Sequence, residues 1–209
     1  MGRFVILNGS PRAPRSNSRR YGELFLSSWK GEAVCFDIVR ADPGELCSAV
    51  AQASGVLLVF PLYADAIPAV LLNFLKELER NPPRNRPSVS VLVNCGFLEP
   101  RQNDVAVEMI RLFCKRNGYP FGAVLKIGSG EAILDTPFRF LAAGKIKRFA
   151  RAVAKGENRT FAVTMPLTKK LFVAASTRYW TDYGKRRGVT REQMDTMNIE
   201  RGTLPDPHV

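Results

Sequence analysis

Serine, asparagine and arginine side chains follow the first apolar run of the chain at a spacing that suits phosphate binding. The run Arg3–Leu7 predicts a buried strand, and a segment with helical spacing follows it, with good N-cap residues at its start. The first amides of a helix lack intrahelical partners and lie at the positive end of the helix dipole. This segment therefore predicts either a phosphate cradle or an ordinary strand-to-helix turn. The candidate phosphate ligands are Ser10, Arg12, Ser16, Asn17 and Ser18.

Composition limits the other kinds of chemistry that this chain is expected to perform. The 209 residues fit one domain with a sizeable core and 45% hydrophobic side chains. The four cysteines include no C-x-x-C pair, so we expect free thiols in a reducing cytoplasm and neither a zinc site nor an iron–sulfur cluster. No secretory signal is evident, and the sole histidine is His208. Mechanisms that need a histidine base or a histidine-ligated metal are therefore not expected.

The net charge of +12 has more than one interpretation. It could attract nucleic acid or an anionic membrane, or draw anionic small molecules to a solvated basic surface. No nucleic-acid-binding motif accompanies the charge, so we do not expect a nucleic-acid partner. The apolar segment 55–75 is about long enough to span a membrane, but Pro61, Asp65, Pro68 and Asn73 interrupt it, and two short elements fit better.

Strands and helices are predicted to alternate along the first two thirds of the chain. This alternation predicts an α/β fold, a doubly wound parallel sheet with helices on both faces. Long loops follow the first, third and fourth strands, at the sheet edge where ligands bind in such folds. The predicted strands are Arg3–Leu7, Ala33–Val39, Gly55–Phe60, Ser88–Asn94 and Phe121–Ile127. The predicted helices after the first span about 45–53, 68–78 and 104–116.

Basic helices are predicted after Gly130. An apolar stripe runs over 138–153, a second helix is predicted over 167–184, and a short helix begins at Thr190. These helices could complete the monomer, form a dimer face or lie on a membrane surface. We predict a division into a domain of residues 1–135 and a helical extension of residues 136–209.

Three loops, taken together, resemble those of the NAD(P)H-dependent FMN reductases. Asn-Gly-Ser-Pro-Arg at 8–12 with Ser-Asn-Ser at 16–18 is similar to the phosphate loop of that family. Phe-Pro-Leu-Tyr-Ala-Asp at 60–65 is similar to its second flavin loop, and Asn-Cys-Gly-Phe at 94–97 to its third. The resemblance covers about residues 3–130. It implies a flavodoxin-like sheet of five strands in the order 2-1-3-4-5, bound FMN, and a homo-oligomer, dimer or tetramer.

The resemblance also implies roles for individual residues. The five candidates of the first loop would hold the FMN phosphate. The second loop would lie along the ribityl chain and part of the ring, and the third would border the ring elsewhere. Tyr63 and Phe97 could instead be loop-packing aromatics, and Cys95 a buried filler. The second and third sets are Pro61, Leu62, Tyr63 and Asp65, and Asn94, Cys95, Gly96 and Phe97.

The function implied is a flavoenzyme that takes hydride from NAD(P)H and passes electrons to a quinone, an azo or nitro compound, or a flavin. No catalytic side chain is required, because the cofactor carries the chemistry. The alternative is an FMN-binding electron-transfer protein that does not oxidise NAD(P)H itself. A flavin-free regulatory or nucleic-acid-binding protein with the same fold is the third alternative. A peripheral membrane contact is the least favoured expectation.

Overall fold

Strands alternate with helices from Phe4 to Val163, and the sequence predicts this alternation as far as Ile127. The computed structural model describes residues 3–196, and His208 lies outside them. The strands are β1 Phe4–Asn8, β2 Ala33–Asp37, β3 Gly55–Pro61, β4 Ser88–Asn94, β5 Phe121–Ile127 and β6 Thr160–Val163. The helices are α1 Asn17–Leu26, α2 Pro43–Ala51, α3 Ala69–Arg80, α4 Asp104–Asn117, α5 Arg139–Ala154, α6 Lys169–Lys185 and α7 Arg191–Met194.

Capping residues fix several helix ends where the sequence predicts them. Ser16 is the N-cap of α1, and its hydroxyl accepts the amide of Arg19 at 3.1 Å. Such a cap contributes about 1 kcal/mol. Gly118 ends α4 with φ of 74°, in the left-handed conformation that glycine adopts without steric cost. The local chemistry of these residues therefore sets where the chain turns.

All six strands are parallel and lie in the order β2-β1-β3-β4-β5-β6. The order of the first five is the predicted one, but the predicted number of five strands is wrong. β6 pairs with β5 at the edge of the sheet, from Val124 opposite Thr160 to Ile127 opposite Val163. Within β6, Phe161 and Val163 are buried, whereas Thr160 and Ala162 are exposed. Four residues give too short an alternation to be recognised in the sequence.

The two faces of the sheet carry different helices. Val5 and Leu7 of β1 belong to the same apolar cluster as buried residues of α2, α3 and α4. Their neighbour Phe4 points to the other face and stacks on Phe25 of α1, with ring centroids 5.8 Å apart. Phe25 in turn contacts Phe149 of α5 at 5.8 Å. Because side chains alternate along a strand, β1 is buried on both sides, which explains its uninterrupted apolar sequence.

The register of the sheet brings the functional loops together. Asn8 lies opposite Val59, Pro61 opposite Asn94, and Asn94 opposite Ile127. The carboxyl ends of β3, β4 and β5 are therefore level, and β1 ends two residues before the end of β3. The four loops that leave these ends meet at one edge of the sheet.

The chain divides into a unit that ends at Met165 and a unit that begins at Pro166. α5 and β6 belong to the first unit, and α6 and α7 to the second. Thr190 and Gln193 form a reciprocal capping box at the start of α7, as expected from the predicted helix start. The domain division predicted at residue 135 stays a prediction. None of the helices within residues 3–196 combines the length and the apolar character needed to cross a membrane.

Candidate functional site

A cavity of about 410 Å³ opens at the carboxyl edge of the sheet. Every predicted site residue except Asp65 and Phe97 lines it. The sequence reasoning missed six lining residues that come from α1, the segment before it and the loop after β5. These are Pro14, Arg15, Arg19, Arg20, Glu23 and Glu131.

The first wall is the loop from Asn8 to Ser16, which is folded by hydrogen bonds to its own side chains. The Ser10 amide donates to Oδ1 of Asn8 at 3.1 Å, and the Arg12 amide donates to Oγ of Ser10 at 3.3 Å. Ser10 is buried, whereas Arg12 is exposed. The loop thus holds its backbone in a fixed turn and leaves a guanidinium at the start of α1.

Asp37 at the end of β2 braces this loop from the neighbouring strand. Its Oδ1 accepts hydrogen bonds from Nδ2 of Asn8 at 2.8 Å and from Nη1 of Arg19 at 3.4 Å. Nδ2 fixes the orientation of the Asn8 amide, so that its Oδ1 faces the Ser10 amide. The first loop therefore depends on a carboxylate that the sequence reasoning did not single out.

Four arginines contribute to the charge of the cavity, and two of them are paired with carboxylates. Arg19 pairs with Glu23 at 3.0 Å, and this hydrogen bond raises the pKa of Arg19. Arg20 forms two hydrogen bonds to Asp135, at 2.9 and 2.6 Å, and they lower the pKa of that carboxyl group. The other two, Arg12 and Arg15, form no ion pair with any residue between 3 and 196. Two positive charges therefore remain available for an anion.

The second wall is the segment after β3. Tyr63 and Ala66 exchange backbone hydrogen bonds of 3.1 and 2.9 Å across a two-residue turn. The residues between them, Ala64 and Asp65, have φ of 46° and 56°, the left-handed conformation that this kind of turn requires. Asp65 is thereby at the exposed tip of the turn and does not line the cavity.

The third wall begins at Asn94, which is 3% exposed. Its Nδ2 donates to Oγ of Ser18 at 3.0 Å and to the carbonyl of Phe60 at 3.1 Å. Its own carbonyl accepts the Leu62 amide at 2.8 Å. Asn94 therefore ties together α1, β3 and the second loop.

Cys95 follows on the same wall, and its thiol is held in the neutral form. Burial raises the pKa of this thiol, although hydrogen bonds to Phe97 and Asn103 act in the opposite direction. Its amide donates to the carbonyl of Ile127 at 3.0 Å, so the amide is already used within the sheet. Phe97 is 52% exposed and is not among the cavity residues.

A fourth loop, after β5, also lines the cavity through Glu131. Its Gly130 carbonyl accepts the Tyr21 hydroxyl at 2.8 Å, and the Glu131 carbonyl accepts Nδ2 of Asn17 at 3.2 Å. A Cβ at Gly130 would lie 2.8 Å from Cβ of Asn94, so only glycine fits there. The Gly-Ser-Gly that follows the last predicted strand is the signal in the sequence for this loop.

The chain was compared with known proteins by sequence and by structure. No protein-family profile matches this sequence, and no curated protein is significantly similar to it. Solved structures, in contrast, resemble it in fold. The NAD(P)H:quinone oxidoreductase of Methanothermobacter marburgensis gives a TM-score of 0.59 at 14% identity, over 73% of this chain and 96% of that protein.

Two further solved structures extend the likeness. An FMN-dependent NADH-azoreductase of Bacillus anthracis, in complex with FMN, gives a TM-score of 0.59 at 13% identity, over 74% of this chain and all of that protein. A flavodoxin of Streptococcus pneumoniae gives 0.54 at 13% identity, over 73% of this chain and 98% of that protein. At these identities the likeness concerns the fold. The resemblance predicted from the three loops is confirmed at that level, and the chain has the flavodoxin-like fold.

Proposed function

We propose that this protein is an FMN-dependent oxidoreductase that takes hydride from NAD(P)H. The electrons would pass to a quinone, an azo or nitro compound, or a free flavin. The observation that carries this proposal is the cavity at the sheet edge, where the start of α1 and its neighbouring arginines lie beside a wall of uncharged side chains. A phosphate joined to a flat ring fits this combination better than a lone phosphate does.

The phosphate end of FMN suits the first loop. Arg12 and Arg15 offer two positive charges, which match the two negative charges of a phosphate monoester near neutral pH. The start of α1 adds its positive dipole end and first amides. This loop would therefore hold the phosphate mainly by charge.

The ring end suits the second, third and fourth loops. Pro61, Leu62 and Tyr63 form one wall, and Cys95 with Gly96 forms another. The cavity volume of about 410 Å³ lies within the ordinary range for small-molecule sites, roughly 300–1,000 Å³. The ring would therefore be bound by apolar contact and by the shape of the loops.

The residues of the cavity would bind and orient the cofactor. Bound FMN would supply the chemistry of hydride transfer from NAD(P)H and of electron transfer to the acceptor. None of the lining residues is a histidine, and hydride transfer to a flavin needs no side-chain base. The Cys95 thiol stays protonated near neutral pH, since burial raises its pKa, so it is not expected to act as a nucleophile. The site residues therefore determine affinity and orientation, and no catalytic side chain is assigned.

The visible absorption spectrum of the purified protein tests this proposal. We expect flavin absorbance, directly or after reconstitution with FMN, and anaerobic bleaching by NADPH or NADH. A protein that binds no FMN after reconstitution would contradict the proposal. A bound flavin that neither nucleotide bleaches would favour the electron-transfer alternative.

The same proposal includes three further predictions. They are a homo-oligomer, an FMN-binding domain of residues 1–135 and a cytoplasmic location. Light scattering coupled to size exclusion gives the mass of the assembly. A mass of 23.3 kDa, that of one chain, would contradict the predicted dimer or tetramer.

A further inference from the structure

Helix α6 presents an aromatic face that its own unit leaves largely uncovered. Tyr179, Trp180 and Tyr183 contact one another with ring centroids 5.2 to 6.3 Å apart. At 100° per residue, Phe172 and Val173 fall on the same face, within a sector of about 120°. Val173, Tyr179 and Trp180 are 52%, 51% and 44% exposed. Large apolar side chains on one helix face usually mark a contact surface.

The remaining surface of this unit is strongly basic. Residues 166–196 carry seven basic and three acidic side chains, a net charge of +4. By the same rotation Arg178 and Lys185 lie opposite the aromatic cluster, Lys170 lies at its flank and Lys169 lies within its sector; all four are exposed. Arg187 lies over the Tyr183 ring at 4.2 Å, which brings a cation to the edge of the cluster. The helix therefore combines exposed aromatics with flanking positive charge.

We propose that α6 binds the surface of an anionic phospholipid bilayer, with its Tyr179–Tyr183 face in the headgroup region. Tyrosine and tryptophan side chains are favourable at that depth, where the ring lies among acyl chains and the polar atom meets water. Lys170 and Arg187, at the edges of this face, can reach the lipid phosphates, whereas Arg178 and Lys185 stay in water and act on anionic lipid only through the longer-range field. Five of the 17 residues of α6 are charged, so it lies along the surface rather than across the bilayer.

Charge argues for this occupant over two others. A second copy of the chain would bring one +4 unit against another, which costs energy at low ionic strength. A nucleic acid would satisfy the charge but would leave Val173 without an apolar environment. An anionic bilayer supplies both the negative charge and the apolar environment.

Vesicle sedimentation of the full-length protein tests the proposal. We expect the protein to bind vesicles made of equal amounts of phosphatidylcholine and phosphatidylglycerol, and to bind phosphatidylcholine alone at least about tenfold more weakly. Added salt should weaken the binding. In a Trp29→Phe variant Trp180 is the sole tryptophan, and its fluorescence should shift to the blue on binding. Equal binding to both vesicles, or no binding to either, would overturn the proposal.

Variants of α6 with matched controls locate the contact. Tyr179→Ser with Trp180→Ser should abolish vesicle binding, whereas Phe140→Ser removes an aromatic that is 64% exposed on α5 and should leave it unchanged. Neutralising three of the four α6 cations with glutamine should weaken binding by up to about fivefold for each charge removed. Those changes are Lys170→Gln, Arg178→Gln and Lys185→Gln, and the matched set is Arg84→Gln, Arg101→Gln and Arg116→Gln.

The rival occupants give distinct results. A dimer that the Tyr179→Ser, Trp180→Ser variant dissociates, in a protein that does not bind vesicles, would assign the face to a second copy. A single-stranded oligonucleotide that binds more tightly than anionic vesicles would assign it to nucleic acid. Either result overturns the proposal. Circular dichroism of each variant confirms that α6 is still folded.

Discussion

Asn94 is the side chain whose removal should disturb the candidate site most directly. Its amide nitrogen donates two hydrogen bonds, to Ser18 Oγ at 3.0 Å and to the Phe60 carbonyl at 3.1 Å. The first bond reaches α1 and the second reaches β3. An Asn94→Ala substitution removes both donors and leaves the two acceptors in a buried environment. We therefore predict a loss of folding stability.

The size of the loss follows from the burial of the partners. Ser18, which lines the cavity, is 1% exposed, and Phe60, which does not line it, is 0% exposed. A buried acceptor left without its donor costs about 1–3 kcal/mol. Access from the cavity puts Ser18 near the lower end of that range, and with the Phe60 carbonyl the total is about 2–3 kcal/mol. For a chain of this size the melting temperature should fall by about 4–12 °C.

Urea and thermal unfolding, followed by circular dichroism without added flavin, measure this loss. Asn158→Ala removes an exposed amide between α5 and β6 and should change stability by less than about 0.5 kcal/mol. A double-mutant cycle with Ser18→Ala should give a coupling energy of about 1 kcal/mol. If Asn94→Ala were as stable as Asn158→Ala, the amide would not be holding the loops together.

Three other substitutions test separate parts of the structure. Burial raises the pKa of the Cys114 thiol to about 12, so the folded state keeps a proton that the unfolded state loses above pH 9. The stability of the wild type relative to Cys114→Ala should therefore fall by about 1.4 kcal/mol per pH unit between pH 9.5 and 10.5, measured by urea unfolding; a flat difference would refute the shift. Ala64→Gly should raise stability by about 1 kcal/mol in thermal unfolding, because Ala64 has φ of 46°; a lower melting temperature would contradict this. Gly130→Ala should cost about 1–3 kcal/mol in the same assay, since the new Cβ would lie 2.8 Å from Asn94, and an unchanged value would show that the loop gives way.

The fold could be predicted from the sequence wherever one local signal sufficed. Gly55–Pro61 is apolar throughout because both faces of β3 are covered, and the hydroxyl of Ser16 marks the start of α1. β6 could not be predicted in this way. Its four residues are assigned as a strand by their pairing with β5, which no local pattern reports.

Residues of the candidate site could be predicted in those loops whose own residue types indicate ligand binding. The three loops after β1, β3 and β4 combine glycine, proline, serine and asparagine, and nearly all the predicted residues line the cavity. The loop that contains Glu131 was missed, although the predicted strand order places the end of β5 beside that of β4 and Gly-Ser-Gly marks the loop in the sequence. Asp65 was predicted by resemblance, but its left-handed φ in a tight turn puts it at the tip instead.

The affinity of the protein for FMN and for riboflavin tests the central claim most directly. Riboflavin has the ring of FMN but lacks its phosphate, so the first loop should distinguish the two. We predict one FMN per chain in a fluorescence titration and at least about tenfold weaker binding of riboflavin. Arg12→Ala with Arg15→Ala should remove this preference, whereas Arg116→Ala, an exposed arginine on α4, should keep it. Equal affinity of the wild type for FMN and riboflavin, or no binding of either, would contradict the account.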